Sequence, residues 1–158
     1  MADPTAEDWY ATIGRATHHA ALIDLIVMNA LRVACSYDFH DLHAIYYAPD
    51  AFSTRAKIVR NLLKIRNAHP VITGIVNAII EQAEIANGRR NELAHSSLLV
   101  TEKGHVRLNM RNILHSAQPV TWAYIHTAMG QIETAYVSAQ SKFSELCDLL
   151  KVQHDIFH

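Results

Sequence analysis

Hydrophobic residues recur at helical spacing through most of the chain. The clearest case is the C-terminal segment, where apolar positions from Trp122 to Leu150 follow one another with gaps that alternate between three and four residues. A heptad pattern sustained over this length predicts one long helix. We expect this helix to start at Pro119, because proline is well accepted in a first helical turn.

The N-terminal part of the chain predicts a second long helix. It runs from about Thr5 or Glu7 to Ala34, and its second half is apolar on nearly every face. In a protein that does not span a membrane, such a surface indicates burial on more than one side, with the bundle core on one side and a partner chain on another. A polar and aromatic connection, Cys35 to Asp50, follows and is long enough to contain a short helix.

Two further helices are predicted in the middle of the chain. The first starts near a cap at Asp50 or Ser53 and continues to about Asn67. The second follows the break before Pro70 and has apolar residues at helical spacing. Although Gly88 is a residue that usually ends a helix, the sequence beyond it is helical again, which predicts either a kinked helix or two abutting ones.

The segment from Leu98 to Met110 has a different pattern. Apolar and polar residues alternate in part around Glu102-Lys103-Gly104, which predicts a small β-hairpin or an extended excursion. Four long helices with this excursion before the last one predict an all-α protein, a four-helix up-and-down bundle. Residues 1–158 are expected to form a single domain.

Composition narrows the class of protein further. The chain has 158 residues, 14 Lys and Arg against 15 Asp and Glu, five Gly, four Pro and two Cys, which excludes collagen-like, disordered and disulfide-scaffold chains. The acidic N-terminus is unlike a signal peptide, so we expect a cytoplasmic protein with free thiols. No membrane span is expected, because Asp24, Asn29 and Arg32 interrupt the longest apolar stretch.

The small net charge conceals an uneven distribution. Residues 1–50 hold two basic and seven acidic side chains, whereas residues 51–112 hold ten basic and four acidic ones. A basic middle section is compatible with a face that binds a polyanion at one site.

The candidate chemistry lies in the string Arg-Asn-Glu-Leu-Ala-His. A histidine such as His95 can exchange protons with an RNA 2′-hydroxyl and a leaving 5′-oxygen. The guanidinium fork of Arg90 matches phosphate oxygens and stabilises added negative charge, and the amide of Asn91 can orient the histidine ring. These groups suit cleavage of RNA without a metal, with 2′,3′-cyclic phosphate and 5′-hydroxyl products.

This string resembles the signature of the HEPN (higher eukaryotes and prokaryotes nucleotide-binding) superfamily. In that signature an arginine is followed after four to six residues by a histidine, commonly with a polar residue just after the arginine, and Arg90, Asn91 and His95 match these three positions. The resemblance implies a metal-independent endoribonuclease that acts on RNA as a homodimer with a composite active site. It also implies a role as a toxin or in defence, with an antitoxin or regulator as a candidate partner.

Two neighbouring residues are candidate substrate contacts, and no cofactor is predicted. Arg89 is a candidate auxiliary contact to phosphate, and Ser96 directly follows the motif histidine. A different class of function stays open, in which the bundle is a non-catalytic HEPN-like module that binds a partner protein or a nucleotide. Arg90 and His95 would then be structural.

The remaining histidines and tyrosines suggest weaker alternatives. His18, His19 and Asp24 could supply ligands to a metal in a helical bundle, as could the pair at positions 40 and 43, but the Glu-x-x-His spacing of such centres is absent and no metal site is predicted. Tyr46 and Tyr47 could either stack on a nucleobase or pack in the interior.

Overall fold

The structure is a computed structural model that describes residues 4–94, 96–100, 106–110 and 119–152, with side chains for residues 4–94 and 121–152. Within these ranges the chain forms five helices, which are α1 (Ala6–Cys35), α2 (Phe39–Tyr47), α3 (Phe52–Ile65), α4 (Pro70–Ala94) and α5 (Trp122–Leu150). Three short strands lie between the last two helices, namely β1 (Ser96–Val100), β2 (Val106–Met110) and β3 (Pro119–Val120). The prediction of a mainly helical, all-α protein is confirmed.

The first helix begins and ends with local signals in the sequence. The amide of Asp8 donates to Thr5 Oγ1 at 3.2 Å, and the Thr5 amide donates to Asp8 Oδ2 at 2.8 Å, which together form a capping box. Ser36 ends the helix in the left-handed conformation, with φ of 54°. The predicted helix from Thr5 or Glu7 to Ala34 is confirmed to within two residues.

The connection after α1 contains a complete helix, α2. Asp38 caps this helix, because its Oδ1 accepts hydrogen bonds from the amides of His40 and Asp41 at 2.8 and 3.3 Å. The part of the chain that the structure describes thus has five helices, the four long ones and a short helix in the connection that the sequence indicates is long enough to contain one.

The boundaries of α3 and α5 also differ from the predicted ones. Ala51 occupies the cap of α3 and makes no side-chain hydrogen bond there, so neither Asp50 nor Ser53 is the cap. Pro119 lies in β3 rather than at the start of a helix, and α5 begins after Thr121, whose Oγ1 accepts from the Tyr124 amide at 3.2 Å. The side-chain cap at Thr121 sets the start of α5. Proline is tolerated in a first helical turn but does not by itself start a helix.

The helix that carries the motif is continuous. α4 runs through Gly88 without interruption, and a Cβ added at this glycine would meet no atom of the described residues within 4 Å outside its own stretch of helix. The prediction of a helix that continues beyond Gly88 is confirmed, and the alternative of two abutting helices is wrong. Since the glycine is neither strained nor crowded, packing against the described residues does not require it.

The strands form a three-stranded antiparallel sheet in the order β1-β2-β3. In the register of β1 and β2, Ser96 pairs with Met110 and Val100 pairs with Val106. β3 pairs with the other edge of β2, with Leu108 opposite Val120. The predicted turn at positions 102–104 lies outside the described residues.

Side-chain contacts give the directions of the helices. Ring centroids are 4.8 Å apart for Trp9 and Trp122 and 5.3 Å apart for His19 and Tyr136, so α1 and α5 run in the same direction. The pairing of Tyr46 with Asp24 and the contact of Phe39 with Arg32 show that α2 runs against α1.

The third helix again runs parallel to α1, since Arg55 meets Asp24 and Arg66 meets Tyr37. The C-terminal half of α4 lies beside the start of α3, and Glu92 accepts a hydrogen bond from Tyr124 near the start of α5, so α4 runs against both. Direction therefore alternates over all five helices, with the short α2 as the second. The four long helices do not alternate by themselves, in contrast to the predicted four-helix up-and-down bundle.

The apolar second half of α1 is covered within the chain. Residues 26–31 are all buried, and α1 packs against α4 and α5 as well as against α2 and α3. The expectation of burial on more than one side is confirmed. The covering elements belong to the same chain, so this surface does not by itself require a second copy.

The same helix is the one described segment long and apolar enough to cross a membrane by length and composition. Its most apolar 18-residue window has a mean hydropathy of 1.2, and half of that window is buried inside the structure. Helices in the core of a folded domain meet this criterion as well. The cytoplasmic location stays a prediction.

The core where α1, α4 and α5 meet predicts a contrast between two residues of α5. Ile132 is fully buried, and Ile132→Ala is expected to lower the free energy of unfolding by about 2–5 kcal/mol, because it removes buried methyl groups and leaves a cavity. Val137 is 63% exposed, so Val137→Ala is expected to change it by less than about 0.5 kcal/mol. Urea unfolding of both variants tests the packing, and equal effects would contradict it.

Candidate functional site

An open cleft of about 480 Å³ lies between the start of α3 and the C-terminal half of α4. The α3 wall contributes Asp50, Ala51, Phe52, Ser53 and Arg55, and the α4 wall contributes Glu84, Asn87, Gly88, Arg90 and Asn91. Four of the α4 residues follow the spacing i, i+3, i+4 and i+7, so they form one stripe along the helix. The cleft volume lies within the roughly 300–1,000 Å³ that is usual for small-molecule sites.

Arg90 is partly buried in the α4 wall of this cleft. Its Nη2 lies 3.5 Å from Oδ1 of Asn87, and Asn87 is in turn held by a 3.0 Å hydrogen bond from its Nδ2 to the carbonyl oxygen of Ala83. Nε of Arg90 is buried and has no hydrogen-bond partner among the described residues. The guanidinium group is thus oriented by a neutral amide, and its charge is not neutralised by a hydrogen-bonded carboxylate in this part of the chain.

A buried polar cluster lies behind the cleft and joins three helices. The carboxylate of Asp24 on α1 accepts a 2.5 Å hydrogen bond from the Tyr46 hydroxyl on α2 and forms a 2.8 Å ion pair with Nη2 of Arg55 on α3. The side chains of Asp24 and Arg55 are only 11% and 12% exposed. We call Asp24, Tyr46 and Arg55 the three-helix cluster.

Burial dominates the electrostatics of this cluster. Removal from water raises the pKa of Asp24 above its ordinary value, although Tyr46, Arg55 and the nearby Arg90 each act to lower it. Burial, together with the adjacent carboxylate, raises the pKa of Tyr46, which therefore stays a hydrogen-bond donor. The influence of Arg90 on Asp24 connects the cluster electrostatically to the cleft.

Arg55 also shapes the α3 wall of the cleft. Its Nη1 donates to the carbonyl oxygens of Pro49 and Asp50 at 3.2 and 3.1 Å, directly before the start of α3. Its guanidinium carbon lies 5.5 and 5.9 Å from the ring centroids of Tyr47 and Phe52. The same carbon lies 5.7 Å from the ring centroid of Tyr46, so one arginine binds the carboxylate of α1, the turn before α3 and three aromatic rings.

The rim of the cleft is nearly neutral. Arg60 pairs with Glu84 at 3.0 Å, and both side chains are more than a third exposed, so the pair contributes little to stability. Asp50 is exposed and adds a negative charge. Because Arg55 and Arg60 are each paired with a carboxylate, Arg90 is the cation best placed to receive an anionic ligand among the residues described here.

The predicted site residues separate into two faces of α4. Arg90 and Asn91 line the cleft, and Asn91 is exposed there. Arg89 lines a different groove, between α4 and α5, where its Nη1 pairs with Glu92 at 2.8 Å and Tyr124 donates to the same carboxylate at 2.6 Å. The structure therefore does not bring Arg89 together with Arg90.

The side chains of two other predicted site residues lie outside the described set. His95 lies outside the described residues, between the end of α4 and the start of β1. Ser96 is the first residue of β1, and its side chain is outside the described set.

Contacts within the described residues bear on the alternative roles of the histidines and tyrosines. In the described ranges no three His, Cys, Asp or Glu side chains form a group that could hold a metal, and Asp24 is engaged by Tyr46 and Arg55. The ring of His19 stacks on Tyr136. Tyr46 is fully buried, so it packs in the interior and is not available to stack on a base.

Sequence reasoning missed three residues that build the site. The sequence indicates Asp24 only as an interruption of an apolar stretch and as a candidate metal ligand, although a charge in a buried helix also signals a polar partner elsewhere in the chain. That partner, Arg55, is one of several basic residues between positions 55 and 66, and the others are exposed, so the pattern does not distinguish it. Asn87 directly precedes Gly88, and an Asn-Gly pair is more typical of a helix end than of a helix interior.

Comparison of the chain with protein-family models, with curated protein sequences and with solved structures finds no match.

The three-helix cluster predicts unequal effects for two removals of a tyrosine hydroxyl. Tyr46→Phe leaves a buried carboxylate oxygen without its donor, so it is expected to lower the free energy of unfolding by about 1–3 kcal/mol. Tyr37→Phe removes an exposed contact in which the hydroxyl accepts from Arg66, and its effect is expected to be below about 0.5 kcal/mol. Denaturant unfolding measures both, and a harmless Tyr46→Phe would contradict the cluster.

The raised pKa of Asp24 predicts a specific dependence of stability on pH. The folded protein holds this proton at pH values where the unfolded chain, with a pKa near 3.8, has released it. The contribution of Asp24 to stability is thus largest below that value and is lost as pH rises through the folded pKa. The stability of the wild type minus that of Asp24→Asn should fall as pH rises above the unfolded pKa and level off once pH exceeds the raised pKa of the folded protein. A rising difference would contradict the assignment.

Proposed function

We propose that this chain is a HEPN-like, metal-independent endoribonuclease that binds an RNA phosphodiester in the cleft between α3 and α4. The observation that carries the proposal is the position of Arg90, which is partly buried in the cleft wall, oriented by Asn87 and not paired with a carboxylate among the described residues. An arginine in this setting can offer its planar donors to phosphate oxygens. Asn91 lines the same cleft and can contact the same group.

The proposed reaction needs one proton acceptor and one proton donor. In our proposal, His95 of one copy accepts the proton of the ribose 2′-hydroxyl as that oxygen attacks phosphorus. The protonated His95 of the other copy gives a proton to the departing 5′-oxygen. The phosphorus–oxygen bond to the 5′-oxygen breaks while the bond to the 2′-oxygen forms, giving a 2′,3′-cyclic phosphate and a 5′-hydroxyl. Arg90 would stabilise the extra negative charge in the transition state.

The proposal includes a homodimer in which two copies of the motif line one composite site. It rests on the family resemblance, because the apolar surface of α1 is covered by helices of the same chain. A cytoplasmic location, a role as a toxin or in defence, and an antitoxin or regulator as partner belong to the same proposal. So does the assignment of residues 1–158 to a single HEPN-like bundle.

The cleft also suits a second function, a non-catalytic module that binds a nucleotide. Arg90, Asn87 and Asn91 are recognition groups irrespective of the role of His95, and their placement in one cleft is the observation that favours this function. The two functions share the ligand class and differ in whether a bond is broken.

Cleavage of single-stranded RNA of mixed sequence in excess EDTA tests the proposal. The wild type is expected to produce 2′,3′-cyclic phosphate ends, and Arg90→Ala and His95→Ala are expected to lower the rate by about 100-fold or more. Arg90→Lys should also be impaired, because lysine keeps the charge but loses the planar fork.

The matched control is Arg66→Ala, which removes an exposed arginine that stacks on Tyr37 away from the cleft. This variant should cleave like the wild type, and circular dichroism should show that every variant is folded. Equal losses in Arg66→Ala and Arg90→Ala would contradict the assignment of the cleft. If the wild type binds a nucleotide but does not cleave RNA, and Arg90→Ala no longer binds the nucleotide, the second function replaces the first.

A further inference from the structure

Phe52 and Gly88 face the cleft from its two walls, close to the groups that would bind phosphate. Phe52 is the first residue of α3 and the one aromatic side chain among the described residues of the lining. It is partly buried against the core, so its ring is held in place and still borders the cleft. Aromatic rings in this position bind nucleobases by stacking, largely independently of base identity.

Hydrogen bonds and an ion pair hold the turn that directly precedes Phe52. Arg55 donates to the carbonyl oxygens of Pro49 and Asp50 and is itself held by Asp24, which anchors the turn to α1. The Phe52 ring is therefore preorganised, so less conformational entropy is lost when a ligand binds.

No packing contact among the described residues explains Gly88. It lies exposed inside a 25-residue helix, where glycine costs about 1 kcal/mol relative to alanine, and an added Cβ would meet none of their atoms within 4 Å outside its own stretch of helix. Gly74 in the same helix is equally open but does not line the cleft. At position 88 the absence of a side chain keeps the cleft open beside Arg90, and glycine is typical where a backbone approaches a ligand closely.

From these observations we infer that the space between Phe52 and Gly88 is a nucleoside subsite for the nucleotide whose phosphate contacts Arg90. The inference rests on the proposed function and adds the form of its substrate. A base can reach Phe52 only when it is unstacked from its neighbours, so the site selects single-stranded RNA over a duplex. The hydroxyl of Ser53, the carboxylate of Asp50 and the amide of Asn91 border the same cleft as hydrogen-bonding groups.

Calorimetric binding of adenosine 5′-monophosphate and ribose 5-phosphate to the full chain tests this subsite. The two probes share the phosphate and the sugar and differ in the base. The wild type is expected to bind the nucleotide at least about fivefold more tightly, which is the low end of the effect of one stacked base. Phe52→Leu should abolish the difference, while Phe39→Leu, at a partly buried ring of α2 outside the cleft, should preserve it.

Substitution of the two glycines gives a second test, in which thermal stability and nucleotide binding are expected to change in opposite directions at position 88. Gly88→Leu and Gly74→Leu should both raise the melting temperature, because leucine favours a helix and both positions are open. Only Gly88→Leu should weaken binding of the nucleotide. A purely structural role for Gly88 predicts equal binding by the two variants, and that result would overturn the inference.

The outcomes separate this inference from the proposed function. If Arg90 is required for RNA cleavage but the two probes bind equally well, the nucleoside subsite is wrong and the ribonuclease assignment remains. If the base strengthens binding through Phe52 but no RNA is cleaved, the subsite is supported and the ribonuclease assignment is wrong.

Discussion

The buried carboxylate of Asp24 is the constraint on which the cleft depends. It joins α1 to α2 through Tyr46 and to α3 through Arg55, and burial makes its charge costly unless both partners are present. An ion pair of this kind adds little net stability compared with an apolar contact, but loss of either partner leaves a buried charge uncompensated. Because Arg55 also donates to the carbonyl oxygens of Pro49 and Asp50, the pair ties the turn before α3 to α1, and with it one wall of the cleft.

The opposite wall depends on the regular geometry of α4. A continuous helix places Glu84, Asn87, Gly88 and Asn91 on one stripe and Arg89 on another face, where it pairs with Glu92. Arg90 lies between these faces and is directed by the amide of Asn87. Neighbouring arginines thus have different surroundings, one paired with a carboxylate and one oriented by a neutral group, and only the second is suited to receive a phosphate.

Periodicity predicted the long helices well, because burial of one apolar stripe is the main source of helix stability in a folded protein. Periodicity does not locate α2, which the length of its connection only allows, because a cap at Asp38 and two buried residues, Leu42 and Tyr46, suffice for a helix too short to give a clear repeat. The motif string led to Arg90 and Asn91 at the cleft. It did not lead to Asp24 and Arg55, since a contact between residues 31 positions apart leaves no local pattern.

Photocrosslinking shows whether RNA binds in the cleft between α3 and α4. Single-stranded RNA that contains 4-thiouridine, with 2′-O-methyl groups to prevent cleavage, would be crosslinked to the full chain and the adducts mapped by mass spectrometry. Adducts are expected at the residues that line the cleft, namely residues 50–53, 55, 84, 87, 88, 90 and 91, and adenosine 5′-monophosphate is expected to compete with them. Adducts confined to the groove between α4 and α5, around Arg89 and Thr134, would contradict it.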